Sequence, residues 1–105
     1  MTVPNAVPKP DPALILEDFR EFVRARPCAI CLQSGRMRYG CEAAHVRTRR
    51  NNGDRANLYP ACAGLDGHHA EQHRMGVTSF SNKYKVDLRV LADGYWHAWL
   101  DERGY

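Results

Sequence analysis

Apolar residues near the start of the chain recur every three or four positions, which is the spacing of one face of an α-helix. The apolar residues in this stretch are Ile15, Leu16, Phe19, Phe22 and Val23. Asp11 followed by Pro12 is typical of a helix start, and Pro27 disfavours helical geometry at the residue before it. The pattern therefore predicts an amphipathic helix from residue 12 to about residue 26, with its apolar face in the core.

The last third of the chain has the same helical spacing. Thr78 is placed to cap a short helix whose Phe80 and Tyr84 pack inward, and Asp87 is placed to cap a longer one. The apolar stripe of the longer helix consists of Leu88, Leu91, Tyr95, Trp96, Trp99 and Leu100. Aromatic residues at helical spacing usually pack in a core, so the pattern predicts two C-terminal helices that cover the domain.

The middle of the chain alternates instead, as β-strands do. Residues 37–46 predict a strand with a bend at Gly40, and residues 57–60 predict a second strand that Pro60 ends or places at an edge. Along the first strand, one side carries Cys41, Ala43 and His45, and the other carries Glu42, Ala44 and Val46. His45 therefore lies close to the end of its strand.

A short helix is predicted from His68 to Met75, with a flexible turn before it and Gly76 closing it. His69 and His73 are four residues apart on this helix, so their side chains lie on one face and within reach of one ion. The same spacing holds the two histidines of His-Glu-x-x-His zinc enzymes. His68 points about 100 degrees away and can serve a different site.

The composition is that of an ordinary small globular protein. The chain has 105 residues, 44% of them hydrophobic and 26% charged. We expect a flexible N-terminal arm at residues 1–11, which are rich in proline, and one domain at residues 12–105. No apolar run is long enough to span a membrane or to form a signal peptide, so we expect a cytoplasmic protein without a membrane partner.

The cysteine spacing predicts a metal site. In the cytoplasm, four cysteines are more often reduced metal ligands than disulfides. Cys28 and Cys31 form a Cys-x-x-Cys pair before a glycine-containing turn, which is typical of a zinc knuckle. The alternatives are a redox pair, which lacks the usual strand-then-helix surroundings, or two buried thiols.

Arginines cluster in the loop between the two predicted strands. The net charge of the chain is only +3, which does not by itself indicate a nucleic-acid partner. The loop carries Arg47, Arg49, Arg50 and Arg55. Such a loop is often only a solvated connection, but beside a metal site its arginines are candidate contacts to DNA phosphates.

Taken in order, three segments resemble the HNH endonucleases, which have a ββα-metal fold. The segments are Ala44-His45-Val46-Arg47, Asn57-Leu58-Tyr59-Pro60-Ala61-Cys62 and His68-His69-Ala70-Glu71-Gln72-His73-Arg74-Met75-Gly76. The chain is most similar to small phage and prophage members, including nucleases that enhance recombination, and the likeness spans roughly residues 28–92. It implies an α+β fold with a ββα-metal core and a zinc knuckle, flanked by an N-terminal helix and C-terminal helices.

The resemblance also implies a role for each motif residue. His45 would be the general base, with Asn57 orienting its imidazole, and His69 and His73 would bind a catalytic divalent ion such as Mg²⁺, Mn²⁺, Ni²⁺ or Zn²⁺. The imidazoles of residues 45, 69 and 73 are expected to surround that single ion. A separate structural zinc would be held by Cys28, Cys31, Cys62 and His68.

Two positions depart from the family pattern. Ala44 stands where many HNH sites have a further metal ligand. Three replacements are open: Glu42, two residues earlier on the same side of the strand, would supply the missing ligand; water would fill the position; or His45 itself would bind the ion. The turn at Gly64–Gly67 also lengthens the usual spacing after Cys62. It either bulges outward or moves the fourth zinc ligand to Cys41 or His69, and Cys41 is otherwise expected to be buried and inert.

The function implied is that of a metal-dependent DNA endonuclease or nickase that acts as a monomer or homodimer, with a phage protein as a candidate partner. Ala44 favours a second interpretation, a zinc-stabilised DNA-binding module that does not cut. A third is a small protein-interaction domain that exposes the stripe containing Trp96 and Trp99.

Overall fold

The computed structural model describes residues 12–47 and 53–104 of a small α+β fold, the class predicted from the sequence. The elements are helices α1 (Pro12–Arg24) and α2 (Ala29–Gln33), strands β1 (Cys41–His45) and β2 (Leu58–Cys62), and helices α3 (His68–Met75), α4 (Val77–Tyr84) and α5 (Leu88–Arg103). None of the described helices has the length and apolar character needed to cross a bilayer. The predicted N-terminal arm, residues 1–11, lies outside the described residues.

The two strands form one antiparallel sheet in which Cys41 faces Cys62 and His45 faces Leu58. Strand β2 continues to Cys62, two residues past the predicted end at Pro60. Proline has no N–H to donate, and in this two-stranded sheet the Pro60 nitrogen can face away from β1 without losing a ladder bond. The extension carries Cys62 to the end of the strand, next to the turn that leads into α3.

Strand β1 is shorter than predicted, because it begins at Cys41 rather than at Met37. Gly40 adopts a φ of +79°, a left-handed conformation that interrupts an extended chain. Just before it, the carbonyl of Arg38 accepts a hydrogen bond of 2.8 Å from the Cys28 nitrogen. Arg38 therefore braces the Cys-x-x-Cys segment, while the Gly40 carbonyl still accepts from the Ala63 nitrogen at 3.2 Å, directly after β2.

Buried side chains form two clusters. The larger contains the four cysteines together with Ala44, Tyr59, Phe80 and Leu88. The smaller consists of Phe19, Phe22, Val23, Leu58 and Trp99. Because successive residues of a strand point to opposite faces, Ala44 packs in the larger cluster while Ala43 lies against the smaller one. The apolar face of α1 is therefore core, as predicted.

Helix α1 is fastened to α5 by polar bonds as well as by the smaller cluster. The Asp18 carboxylate accepts hydrogen bonds from Trp99 Nε1 at 2.9 Å and from Arg103 Nε at 2.7 Å. The Phe19 ring meets the Trp96 ring edge-on, with centroids 4.9 Å apart. Leu88 and Trp99 are buried and the rest of the stripe is half-buried, which argues against its being an exposed protein contact.

The starts of the C-terminal helices follow one prediction and contradict another. Asp87 caps α5, and its side chain accepts from the backbone nitrogens of Arg89 and Val90, as expected. Thr78 caps nothing, because α4 begins one residue earlier, directly after Gly76. Gly76 thus ends α3 and precedes α4, so these two helices share a single linking residue.

Candidate metal centre and histidine site

Three cysteines and one histidine come together beside the larger cluster. The ligand atoms of Cys28, Cys31, Cys62 and His68 all lie within 4.8 Å of one another. His68 Nδ1 is 3.3 Å from the sulfurs of Cys28 and Cys62 and 3.6 Å from that of Cys31. Around a tetrahedral zinc, bonds of about 2.3 Å to sulfur and about 2.0 Å to nitrogen place an S–N pair about 3.5 Å apart. The group therefore fits a metal ion such as zinc.

Each ligand is fixed by the end of an element. Cys28 directly precedes α2 and Cys31 lies within it, so the turn of this helix brings the two thiols to one side. Cys62 is the last residue of β2 and His68 the first of α3. The His68 backbone nitrogen donates to Cys62 Sγ at 3.3 Å, which joins the strand end to the helix start. The knuckle predicted from the sequence is thus partly helical.

The local electrostatics favour binding of a cation. Burial, followed by the neighbouring Cys28 side chain, raises the pKa of Cys31 to about 11, because adjacent thiolates repel one another. Burial opposes ionisation of Cys28 as well, but hydrogen bonds from the backbone of Cys31 and Cys62 hold its pKa below the ordinary value. Burial lowers the pKa of His68, which keeps the imidazole neutral, the form in which it binds a metal.

The long turn after Cys62 bulges outward and leaves the ligand group intact. Leu65, in this turn, is 94% exposed, and the Gly67 nitrogen donates to the Gly64 carbonyl at 3.0 Å. The fourth member of the group is therefore His68, and neither Cys41 nor His69 belongs to it. Cys41 is buried, its Sγ lies 3.6 Å from the Arg38 carbonyl, and burial raises its thiol pKa to about 12.

Gly67 is where this turn leaves no room for a side chain. A Cβ there would lie 2.2 Å from the Cys62 carbonyl oxygen and 2.5 Å from that of Ala63. Both obstacles are backbone, so Gly67→Ala must displace either the strand end or the start of α3. We expect a loss of about 1–3 kcal/mol in the free energy of unfolding, measured by urea denaturation, together with weaker retention of the ion.

Gly94→Ala is the matched control, because nothing lies within 4 Å of the position of its Cβ in the middle of α5. This substitution should stabilise the protein by about 0.4–1 kcal/mol. Equal effects of the two substitutions would contradict the proposed crowding at Gly67.

A second histidine group lies on the exposed face of α3. His69 Nε2 and His73 Nε2 are 3.1 Å apart. Two nitrogens each about 2.1 Å from one ion are about 3.0 Å apart at a right angle and about 3.4 Å apart at the tetrahedral angle. The Glu42 carboxylate lies 2.8 Å from the other nitrogen of His69, Nδ1. Glu42 is thus placed to orient the ring, not in the direct-ligand position anticipated from the sequence.

His45 is paired with an aspartate that the sequence did not single out. Its Nε2 lies 2.7 Å from Asp54 Oδ1, and the Asp54 carboxylate is only 4% exposed. The other Asp54 oxygen accepts a hydrogen bond from Arg20 on α1. Burial would raise the pKa of Asp54, but the hydrogen bonds from His45 and Arg20 outweigh it and hold that pKa below the ordinary value.

Asn57 does not contact the His45 ring through any hydrogen bond within the described residues; its side chain holds the loop instead. Its Oδ1 accepts from the Arg47 nitrogen at 2.7 Å, and its Nδ2 donates to the carbonyls of Arg47 and Gly53 at 3.2 and 2.7 Å. The predicted direct orienting role therefore has to be corrected. Asn57 closes the loop that carries Asp54, and Asp54 contacts the imidazole.

The three imidazoles at positions 45, 69 and 73 are not gathered into one ligand set. Across residues 12–47 and 53–104, the Cys₃His group alone brings three or more His, Cys, Asp or Glu ligand atoms within 4.8 Å of each other. His45 is instead joined to α3 through its backbone, since its carbonyl accepts from Gln72 Nε2 at 2.9 Å. Gln72 lies next to His73, so the end of β1 abuts the turn of α3 that carries the histidine pair.

Two of the four candidate DNA-binding arginines lie in the described chain. Arg47 Nη2 donates to the Ala56 carbonyl at 3.3 Å, and the Arg55 guanidinium lies 6.0 Å from the centroid of the Trp96 ring. Arg49 and Arg50 lie outside the described residues. Ala44, the position that departs from the HNH pattern, is fully buried, so it offers no place for a ligand from the strand.

Comparison of the chain with protein-family models, with curated proteins and with solved structures found no match. The resemblance to HNH endonucleases therefore remains an expectation from the sequence motifs.

Proposed function

We propose that this protein is a metal-dependent DNA endonuclease or nickase with an HNH-like ββα-metal core, stabilised by a zinc ion in the Cys₃His group. The observation that carries the proposal is the pair of ring nitrogens of His69 and His73, 3.1 Å apart on one helix face. The His45–Asp54 pair at the end of β1 supports it, since that strand end is bonded to the same helix through Gln72.

The catalytic ion would be held by His69 and His73 through their Nε2 atoms, with Glu42 fixing the His69 ring through Nδ1. Imidazole ligands suit zinc or nickel better than manganese or magnesium, so we rank Zn²⁺ and Ni²⁺ ahead of Mn²⁺ and Mg²⁺. Such an ion, when bound, would offset negative charge on the scissile phosphate and on the leaving oxygen.

His45 would act as the general base through Nδ1. Since an ionised carboxylate can only accept hydrogen bonds, Asp54 fixes the neutral ring with the proton on Nε2 and the lone pair on Nδ1. That lone pair can take a proton from the attacking water, and the buried carboxylate then stabilises the imidazolium. The His45 side chain is 34% exposed, which leaves the ring accessible to water and substrate.

DNA is the proposed partner, and the arginines around the β1–β2 loop would contact its phosphates. Arg47 and Arg55 lie on the same connection as Asp54, close to the proposed base. Each phosphate neutralised by an arginine adds about −0.9 to the slope of log affinity against log salt concentration.

The proposal is tested by incubating supercoiled plasmid with the purified, desalted full-length protein and Mg²⁺, Mn²⁺, Ni²⁺ or Zn²⁺. Nicked or linear product should form with at least one ion and be absent with EDTA. His73→Ala should lose at least about a hundredfold in rate while retaining the Cys₃His ion, measured by elemental analysis. His97→Ala is the matched control, because His97 is an exposed histidine whose one ion pair among the described residues is with Asp93, at 3.5 Å.

The alternative function is a zinc-stabilised DNA-binding module, and the buried Ala44 favours it, because the strand then supplies no third ligand. Salt-dependent DNA binding without cutting in any of the four ions would establish that alternative. Unchanged cutting in His73→Ala would show that the ion is bound elsewhere.

A further inference from the structure

We infer that Arg20 is a positioning residue that holds the buried Asp54 carboxylate against His45. Arg20 belongs to helix α1, and not to the sheet or to helix α3. This inference rests on the proposed function for its catalytic consequence. Its structural content, the orientation and tautomer of the His45 ring, can be tested without any activity.

Three side chains from three parts of the sequence contact one another in series, with Asp54 between His45 and Arg20. The two Asp54 oxygens are divided between partners, Oδ1 lying 2.7 Å from His45 Nε2 and Oδ2 accepting from Arg20 Nη1. Exposure falls from 34% at the His45 side chain and 27% at Arg20 to 4% at Asp54. The Asp54 carboxylate is therefore the enclosed middle member of the three, and water can reach its two partners far better than it can reach Asp54.

A buried carboxylate remains charged only where its surroundings compensate it. When His45 is neutral, Arg20 is the full positive charge that contacts Asp54 among the described residues. Without the guanidinium, the enclosed carboxylate would either take up a proton or turn toward solvent. In both cases the ring would lose the acceptor that selects the Nε2–H tautomer.

Arg20 is itself held independently of the site. Its Nε donates to Glu17 at 3.0 Å, one turn earlier on α1. Helix α1 is anchored by Phe19 and Val23, which flank Arg20 in the sequence and are buried in the smaller cluster, and by the Asp18 bonds to α5. The guanidinium is thus presented from a rigid element, which is the arrangement that a precise positioning residue requires.

The loop that carries Asp54 is fixed as well. Asn57 spans it with three side-chain hydrogen bonds, and the Asn57 nitrogen also donates to the Asp54 carbonyl at 3.3 Å. Helix α1 and Asn57 therefore approach Asp54 from different directions. Asn57 sets the backbone of the loop, and Arg20 sets the direction of the carboxylate.

The test uses the full chain with its zinc site loaded, labelled with ¹⁵N at histidine. The ring ¹⁵N shifts of His45 near pH 8 should report mainly the Nε2–H tautomer in the parent protein. Arg20→Met, which keeps the length of the side chain but removes the charge, should give a mixture of tautomers. Arg20→Lys, which restores the charge, should recover part of the parent spectrum.

Arg24→Met is the matched control. Arg24 is also a helix α1 arginine bonded to Glu17, at 2.8 Å, but it has no contact with Asp54 among the described residues. It should leave both the tautomer and the nicking rate unchanged. Arg20→Met should lower the nicking rate about tenfold to a hundredfold, in line with the cost of misplacing a reacting group.

The outcomes separate the inference from the function. An Nδ1–H tautomer in the parent protein, or equal spectra and rates for Arg20→Met and Arg24→Met, would overturn the role of Arg20. Absence of nicking in the parent protein would count against the proposed function alone, because the tautomer would still be measured. If Arg20→Met does not fold, Arg20→Gln decides through the same spectra, since it also removes the charge and should also give a mixture of tautomers.

Discussion

Removing the proposed zinc ion is expected to unfold this protein. The Cys₃His group joins α2, the end of β2 and the start of α3, and its three cysteines belong to the larger buried cluster. Structural zinc sites bind with about 10–16 kcal/mol near neutral pH. That is comparable to or larger than the total stability of a small domain, which is about 5–15 kcal/mol.

Chelation or Cys62→Ser should therefore abolish the helical signal in far-UV circular dichroism, with elemental analysis showing loss of zinc. Cys41→Ser is the matched control, because Cys41 is a buried thiol outside the ligand group. The Cys41→Ser protein should keep the ion, and its free energy of unfolding should fall by only about 1–3 kcal/mol. Since cysteine binds zinc as the thiolate, loss of the ion should increase as the pH falls. A fully folded protein free of zinc would refute this account of its stability.

Replacing His45 is expected to remove nicking while leaving the fold intact. General base catalysis typically contributes about 10²–10⁴-fold, so His45→Ala should slow metal-dependent nicking by a factor in that range. The His45 ring is partly exposed, and Asp54 still has its ion pair with Arg20 when the ring is removed. The loss in the free energy of unfolding should therefore be small. Plasmid nicking and thermal denaturation should be measured on the same preparations.

His45→Gln separates catalysis from packing, because its amide can still donate to Asp54 but cannot accept a proton from water. It should fold like the parent protein and be as inactive as His45→Ala. Nicking at the parent rate in either variant would exclude His45 as the base.

Local patterns predicted much of the fold. The apolar spacing around Phe19 gave helix α1, and the segment from His68 to Gly76 gave α3 with the bounds that the structure has. In the Cys₃His group, Cys62 and His68 were expected from the resemblance to HNH endonucleases, and the Cys28–Cys31 pair was predictable from its own spacing. These features depend on residues close together in sequence, where spacing translates directly into geometry.

The parts that could not be predicted depend on contacts between distant segments. Asp54 lies in a polar loop without periodicity, and its burial follows from Arg20, 34 residues earlier in the chain. The role of Glu42 depends on which nitrogen of His69 it meets, a question that sequence spacing does not answer. The motif singled out Asn57 as a partner of the imidazole, but its side-chain bonds go to the backbone, and a motif does not reveal that distinction.

The fastening of α1 to α5 has a consequence for the order in which the chain folds during synthesis. Asp18 and Trp99 are 81 residues apart in sequence, so helix α1 cannot pack against α5 until residue 99 has left the ribosome. The thiol and imidazole ligands, by contrast, are all present once residue 68 has emerged. The knuckle can therefore assemble during translation, whereas the contacts between α1 and α5 form only after α5 has been made.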